Sequence, residues 1–332
     1  MEGHDLAQAR VSGDDAVHDV IKLRATLTKV KRELSAVTKD RDELLIEYGD
    51  LQKATYPVRS PKRKKKVATG KTLVRVIASD LHGSVMDRPA VDAFLADVKS
   101  LNPDEIVLNG DIIECGGFLA QHHALGYVAQ TEYSFQQDIA AANWFLDELG
   151  EAAPRAQVHF CSGNHDERIS KWIVDQTMRH GRDSEFLMSL LAPQVLLRLE
   201  ERGIAFYCRG EHHLPGLPPG WIKLGNCFFT HELSGGKNAA RSSLQSVAAN
   251  VVFGHTHQED AATIVLPGVG MVKAWNPGCL CQRQPLWRHS NPTSWSHGYA
   301  VQFCEGENLM HVNVPIWEGA SQLQTMIQKF AP

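Results

Sequence analysis

Five short polar clusters, each placed after an apolar run, constrain this chain more than any other feature of its sequence. Asp80-Leu81-His82 follows the run 73–79, and Gly110-Asp111 follows 105–108. Gly163-Asn164-His165-Asp166 follows 158–161, and His231 ends the run 222–230. Gly254-His255-Thr256-His257 follows 251–253. In α/β folds the carboxyl ends of strands are where ligands collect. Polar residues repeated at such ends are therefore expected to converge at one edge of a sheet, although they are far apart in the chain.

The spacing between the clusters supports that geometry. Helical periodicity is expected over 91–98, 132–149, 168–180 and 184–202, between the three early strands and after them. Later runs are β-rich: 204–207, 222–230, 251–253, 262–265, 271–275 and 299–303. Early β-α-β alternation with a β-heavy continuation predicts an α/β sandwich. Apolar residues make up 43% of the chain, enough for a sizeable core.

The clusters together offer Asp80, His82, Asp111, Asn164, His231, His255 and His257. Two carboxylates, one amide and four imidazoles suit two borderline divalent cations such as Mn, Fe, Zn, Co or Ni, and sulfur is not among the donors. In an extended segment, Asp-x-His and His-x-His each put two side chains on one side. The glycines before Asp111, Asn164 and His255 let the backbone turn sharply beside a crowded site.

These five motifs, in this order, resemble those of the calcineurin-like metallophosphoesterase superfamily, and Asn276-Pro277-Gly278 resembles that family's Asn-Pro-Gly turn. The resemblance spans roughly residues 73–303. It implies two mixed β-sheets flanked by helices, a pair of divalent ions (Mn first) and hydrolysis of a phosphate ester. By motif, Asp80, His82 and His257 would hold one ion, Asn164, His231 and His255 the other, and Asp111 would bridge them. His165 would protonate the leaving oxygen or stabilise the transition state, and Asp166 would orient His165. Asn164 and His165 would also contact substrate. Arg168 would touch the substrate phosphate or else form a surface ion pair. At 232, where many family members carry Gly, this chain has Glu232.

Other histidines carry a plainer reading. His159 and His311 fit satisfied core residues, and the pairs His122-His123 and His212-His213 fit exposed loops. The stretch from Asp111 to Asn164 is longer than compact family members need. Its excess, 115–150, is either a cap over the site that sets substrate choice or a helical excursion packed on the sandwich.

Upstream of the sandwich the pattern changes. Val20, Leu27, Leu34, Arg41 and Tyr48 recur every seven residues, and Leu23, Val30, Val37, Leu44 and Leu51 follow each by three. This predicts a coiled coil over 14–55 after a disordered stretch at 1–13, with homo-oligomerisation through 17–51. The alternative is a lone helix docked on the catalytic domain. Tyr56-Pro57, Ser60-Pro61 and the basic run 62–66 mark 56–71 as a linker. The string at 61–67 also resembles a nuclear-localisation signal or a tether for nucleic acid. The catalytic domain is then expected over 72–317, with a C-terminal tail at 318–332.

Charge divides along the same boundaries. Residues 1–58 hold 9 basic and 11 acidic residues, and 59–71 hold 7 basic and no acidic ones. The formal net charge of −4 leaves −9 for residues 72–332. The tether thus points to nucleic acid while the catalytic region argues against a broad nucleic-acid face. Seven cysteines, an odd count, give no disulfide framework and indicate a reducing compartment. No run approaches the ~18–20 apolar residues of a membrane helix. The expected location is cytoplasmic, or nuclear if the host cell has a nucleus. The expected reaction is hydrolysis of a phosphodiester in nucleic acid or nucleotides. The alternatives are a phosphomonoesterase on phosphoprotein or small phosphate esters, and a non-catalytic coiled-coil scaffold.

Overall fold

The computed structural model describes residues 22–36, 39, 72–117, 133–180, 183–285 and 292–330. Two compact units result, Met1–Pro57 and Val58–Pro332. In the first, residues 22–36 form a helix, α1, whose Leu23, Leu27, Val30 and Leu34 are all more than half exposed. These are four of the expected seam positions. The rest of the expected coiled coil (residue 39 apart), the 56–71 linker and the 1–13 stretch lie outside the described residues.

The second unit alternates strand and helix: β1 (Leu73–Ala78), α2 (Arg88–Leu101), β2 (Glu105–Asn109), α3 (Phe135–Ala152), β3 (Gln157–Cys161), α4 (Arg168–His180), α5 (Ser184–Leu191), α6 (Pro193–Leu196) and β4 (Ala205–Tyr207). It continues with β5 (Ile222–Leu224), β6 (Cys227–Phe229), α7 (Ala239–Val247), β7 (Val251–Val252), β8 (Glu259–Leu266), β9 (Gly270–Pro277), β10 (Gly298–Glu305), β11 (Asn308–Trp317), β12 (Ala320–Ser321) and α8 (Gln322–Phe330). One sheet runs β12-β11-β10-β1-β2-β3-β4 and the other β5-β6-β7-β9-β8. Both are mixed: β1 to β4 are parallel while β10 is antiparallel to β1, and β6, β7 and β9 are parallel while β8 is antiparallel to β9.

Strand periodicity explains the layers. Alternate residues of a strand face opposite sides. Val76, Ala78, Ile106 and Leu108 pack with Phe94, Val98, Phe145 and Leu149 of the helices. Ile77, Val107, Cys161 and Ala300 instead meet Ile222, Phe229 and Val252 of the second sheet. A third core joins that sheet's outer face to α7 through Ala240, Leu244, Val251 and Phe253. Central strands buried on both faces read as continuous apolar runs, which is why β1 and β2 were legible. The result is the two-sheet α/β sandwich expected from the sequence.

Several elements differ from expectation. The run 222–230 is a hairpin, turned at Gly225-Asn226 with Gly225 at φ 61° and Leu224 paired to Cys227. The helix expected over 184–202 breaks at Ala192-Pro193, because a residue before proline disfavours the helical conformation. The helix expected from 132 starts at Phe135, where Ser134 Oγ caps the amide of Gln137 at 3.3 Å. Ile139, Ala142, Phe145, Leu146 and Leu149 bury that helix in the core. Of the expected 115–150 insertion, 118–132 lies outside the described residues. The expected tail contains β12, paired to β11, and α8.

Candidate metal centre

The ends of β1, β2, β3 and β7 and the segment after β6 bring Asp80, His82, Asp111, Asn164, His231, His255 and His257 together. Asp80 Oδ1 lies 3.1 Å from His257 Nε2 and 3.9 Å from Nε2 of both His82 and His231. Asp111 Oδ2 lies 3.0 Å from His231 Nε2 and 3.8 Å from His82 Nε2. Donor atoms of Asp80, His82, Asp111 and His257 fall within 4.8 Å of one another, as do those of Asp111, His231 and His255. Asp111 belongs to both groups. Asn164 Oδ1 is 2.8 Å from His255 Nδ1, beside the second group.

The backbone holds these residues differently from the extended geometry expected. Asp80, His82, Asp111, His255 and His257 all have φ between 54° and 69°. They are five of the ten non-glycine residues with positive φ among the described residues. Left-handed conformation costs free energy in a residue with a Cβ and persists only where surrounding structure enforces it. Enforcement here comes from cross-loop bonds: the amides of Asp80, His82 and Gly83 donate to the carbonyls of Gly110, Asp111 and Ile112 at 2.9–3.0 Å. Two glycines admit this packing by lacking a side chain. A Cβ on Gly163 would collide with the Asp111 carboxylate, and one on Gly254 with Ser79 Oγ.

The site pairs buried carboxylates with imidazoles. Asp80, Asp111 and His231 are almost fully buried. Burial opposes ionisation of Asp80, but His257 and His231 outweigh it and bring its pKa to about 2. Burial likewise opposes Asp111, and His231 and His165 hold it well below the usual carboxylate range. Burial would lower His231, yet Asp111 and Asp80 raise it to about 10. His82 is lowered by burial and by His165, and His255 by burial and by His231. Asp111 Oδ2 and His231 Nε2 lie 3.0 Å apart in the interior, and among the described residues neither has a partner in hydrogen-bond geometry. Buried polar atoms are rarely left unpaired. A cation between them would satisfy both, so the donor set fits divalent ions.

His165 is fixed from several sides. Its amide donates to Asp111 Oδ1 at 2.8 Å, and its Nδ1 lies 2.8 Å from the Glu114 carbonyl and 3.1 Å from Glu114 Oε2. Its ring stands edge-on to that of His82, with centroids 4.5 Å apart. Burial opposes protonation of His165, but Asp111 and Glu114 raise its pKa. Arg168 Nη2 lies 2.8 Å from Nε2 of His165, while Nη1 donates to the carbonyls of Glu114 and Cys115. The guanidinium is thus held by the protein and is not in a surface ion pair.

Asp166 does not orient His165. Its carboxylate accepts the amides of Asp111, Ile112, Ile113 and Gly163 at 2.8–3.0 Å, tying the second and third loops together. Burial and the neighbouring Asp111 raise its pKa to about 7. The carboxylate that meets His165 is Glu114, which also lies 2.6 Å from His82 Nδ1. Burial opposes its ionisation, but contact with His165 and His82 brings its pKa to about 2. The sequence reading missed Glu114, although an acidic residue closing the apolar run Ile112-Ile113 was an available signal. Asp138 was also missed: it accepts the amides of Ser84, Glu114 and Cys115 and the Tyr133 hydroxyl.

His212 is exposed but His213 is half-buried, 2.7 Å from the Cys208 carbonyl, and His122 and His123 lie outside the described residues. His159 is buried beside the Tyr207 hydroxyl, and His311 stacks on Trp275 between Gln302 and Asn313. At the edge of the site Glu232 Oε1 lies 3.9 Å from His255 Nε2, and its other oxygen pairs with Arg209.

Comparison with known proteins bears on this geometry. No curated protein matches the sequence. Among solved structures, a metallophosphoesterase from Sphaerobacter thermophilus is 16% identical, with a TM-score of 0.37, covering 78% of this chain and 94% of that one. The phosphoesterase Yfce from E. coli is 19% identical, with a TM-score of 0.33, covering 73% and 99%. Vacuolar protein sorting 29 from Cryptosporidium parvum is 10% identical, with a TM-score of 0.37, covering 76% and 95%. A family model described as calcineurin-like phosphoesterase matches residues 75–259, more than half of the 332 residues and the span that carries all seven clustered side chains. The chain therefore belongs to the calcineurin-like phosphoesterase family.

Proposed function

We propose that this phosphoesterase hydrolyses a phosphodiester of nucleic acid or a nucleotide, using two divalent ions, with Mn the first candidate. In this reading Asp80, His82 and His257 would hold one ion, Asn164, His231 and His255 would hold the other, and Asp111 would serve both. Bound there, the ions supply charge for the phosphate oxygens and a water acidic enough to attack near neutral pH. Asp111 also fixes the His165 amide, so the loop carrying His165 is set by the same carboxylate. Glu114 engages Nδ1 of His165, and Nε2, which accepts from the Arg168 guanidinium at 2.8 Å, would carry a proton to the leaving oxygen once Arg168 turns to the phosphate. Asn164 and His165 face the substrate in this arrangement. Arg168 limits the swing of the His165 ring and lies near enough to meet a phosphate oxygen.

One observation carries the diester reading. Both arginines described at the site are already engaged by acidic side chains: Arg168 Nη1 lies 3.8 Å from Glu114 Oε1, and Arg209 pairs with Glu232. A phosphomonoester brings up to two negative charges and a diester one, so a site with its arginines neutralised suits the diester better. The test compares bis-p-nitrophenyl phosphate with p-nitrophenyl phosphate in added Mn. Faster turnover of the diester supports this reading, and faster turnover of the monoester replaces it with a phosphomonoesterase. Turnover of neither leaves a coiled-coil scaffold. We further propose that residues 17–51 join copies of the chain, supported by the exposed apolar positions of α1. The basic 61–67 segment would then serve as a tether or a nuclear-localisation signal in a cytoplasmic or nuclear protein.

A further inference from the structure

A metal-bound histidine ordinarily donates its other ring N–H to a fixed acceptor, which sets its tautomer and aims the ring. Three histidines of the centre turn Nε2 inward. His82 has Glu114 at Nδ1, 2.6 Å away, and His231 has the Asn109 carbonyl at 2.7 Å. Among the described residues the third, His257, has neither a carboxylate nor a carbonyl hydrogen-bonded there. Its Nδ1 lies 3.6 Å from the sulfur of Cys281.

Cys281 is built in. It is 1% exposed and free of any disulfide. Its backbone bridges to Met86, and its carbonyl accepts from His297 Nε2 at 2.8 Å. Trp295 packs against His257, with ring centroids 4.0 Å apart. The His257 backbone sits at φ 57°, a conformation that surrounding structure must enforce.

We propose that Cys281 is a positioning residue for His257: its sulfur accepts the Nδ1–H and holds Nε2 toward Asp80 and His82. Sulfur is a weak acceptor. It would therefore be the softest of the three Nδ1 anchors, and the ion shared by Asp80, His82 and His257 is the one that depends on it. This inference rests on the metal-centre assignment above.

The test uses the full chain, stripped by chelator and titrated calorimetrically with Mn. Cys281→Val keeps the bulk and removes the acceptor, while Cys281→Ser keeps an acceptor. We expect Cys281→Val to weaken one of two Mn-binding steps about 10- to 100-fold. The other step should stay close to wild type, and Cys281→Ser should recover part of the loss. Wild-type affinity in Cys281→Val overturns the inference, as does an equal loss in Cys281→Ser, which would point to packing alone. If Cys281→Val does not fold, nitrogen NMR of zinc-loaded wild-type protein reads the same bond. A His257 Nδ1–H protected from solvent exchange supports it, and one that exchanges freely overturns it. Wild-type protein that takes up no metal sinks the metal-centre assignment itself, whereas two-step uptake unchanged in Cys281→Val sinks only the role of Cys281.

Discussion

Nδ1 of His82 lies 2.6 Å from a carboxylate oxygen of Glu114, and both side chains are buried. The same carboxylate reaches His165, so one residue fixes a metal-ligand candidate and the candidate proton donor. Removing it should damage binding and chemistry together. Glu114→Ala is expected to weaken Mn affinity about 10- to 100-fold and to lower kcat on bis-p-nitrophenyl phosphate by a similar factor. Calorimetry and steady-state kinetics check the two effects separately. Loss of kcat with unchanged Mn affinity would show that Glu114 serves His165 alone.

Asp166 is a structural tie. Its two oxygens receive four backbone amides. Asp166→Asn replaces one oxygen with a donor and leaves two buried amides facing it. Each orphaned group costs about 1–3 kcal/mol, so a loss of about 2–6 kcal/mol is expected. Urea unfolding of the metal-stripped forms measures it. A loss below about 1 kcal/mol would mean that the loop finds other acceptors.

His311 gives the fold a pH dependence of its own. Burial lowers its pKa from 6.5 to about 4, against a hydrogen bond to Asn313 that raises it. The unfolded chain therefore binds a proton at this site between pH 6.5 and 4 that the folded chain does not. Stability from this group is complete above pH 6.5 and is lost as pH falls toward 4. Replacing His311 by Gln should flatten the stability profile across that window, as read by thermal unfolding at a series of pH values. An unchanged slope would assign the acid sensitivity elsewhere.

Helix α1 exposes Leu23, Leu27, Val30 and Leu34 along one seam. An apolar seam of this kind is stable when it is covered. Deleting residues 1–58 should lower the molar mass measured by light scattering to that of a single chain and leave kcat on bis-p-nitrophenyl phosphate unchanged. An unchanged oligomer would place self-association in the remaining residues.

Much of the site was legible in the sequence because its residues sit at the ends of strands buried on both faces. Such strands are continuous apolar runs, so Asp80, Asp111 and Asn164 stand out where the runs stop. Partnerships across loops were less legible. Asp166 follows His165 directly, yet its carboxylate turns to backbone amides, and Glu114, separated from His165 by 51 positions, takes the place expected for it. Alternation along β11 was obscured by Pro315, since proline inside a run argues against a strand. The hairpin at Gly225-Asn226 was hidden because the apolar residues on both sides read as one run. Asp-x-His looked like an extended pair, but loop-to-loop hydrogen bonds force both residues into left-handed turns.

Seven side chains from distant segments are proposed to hold two ions, with Asp111 serving both. Titration of the metal-stripped chain with Mn, followed by electron paramagnetic resonance, tests it most directly. Two Mn per chain with a spin-coupled spectrum is the predicted result, and Asp111→Asn should abolish the coupling. No uptake, or ions that bind without coupling in the wild-type chain, would contradict it.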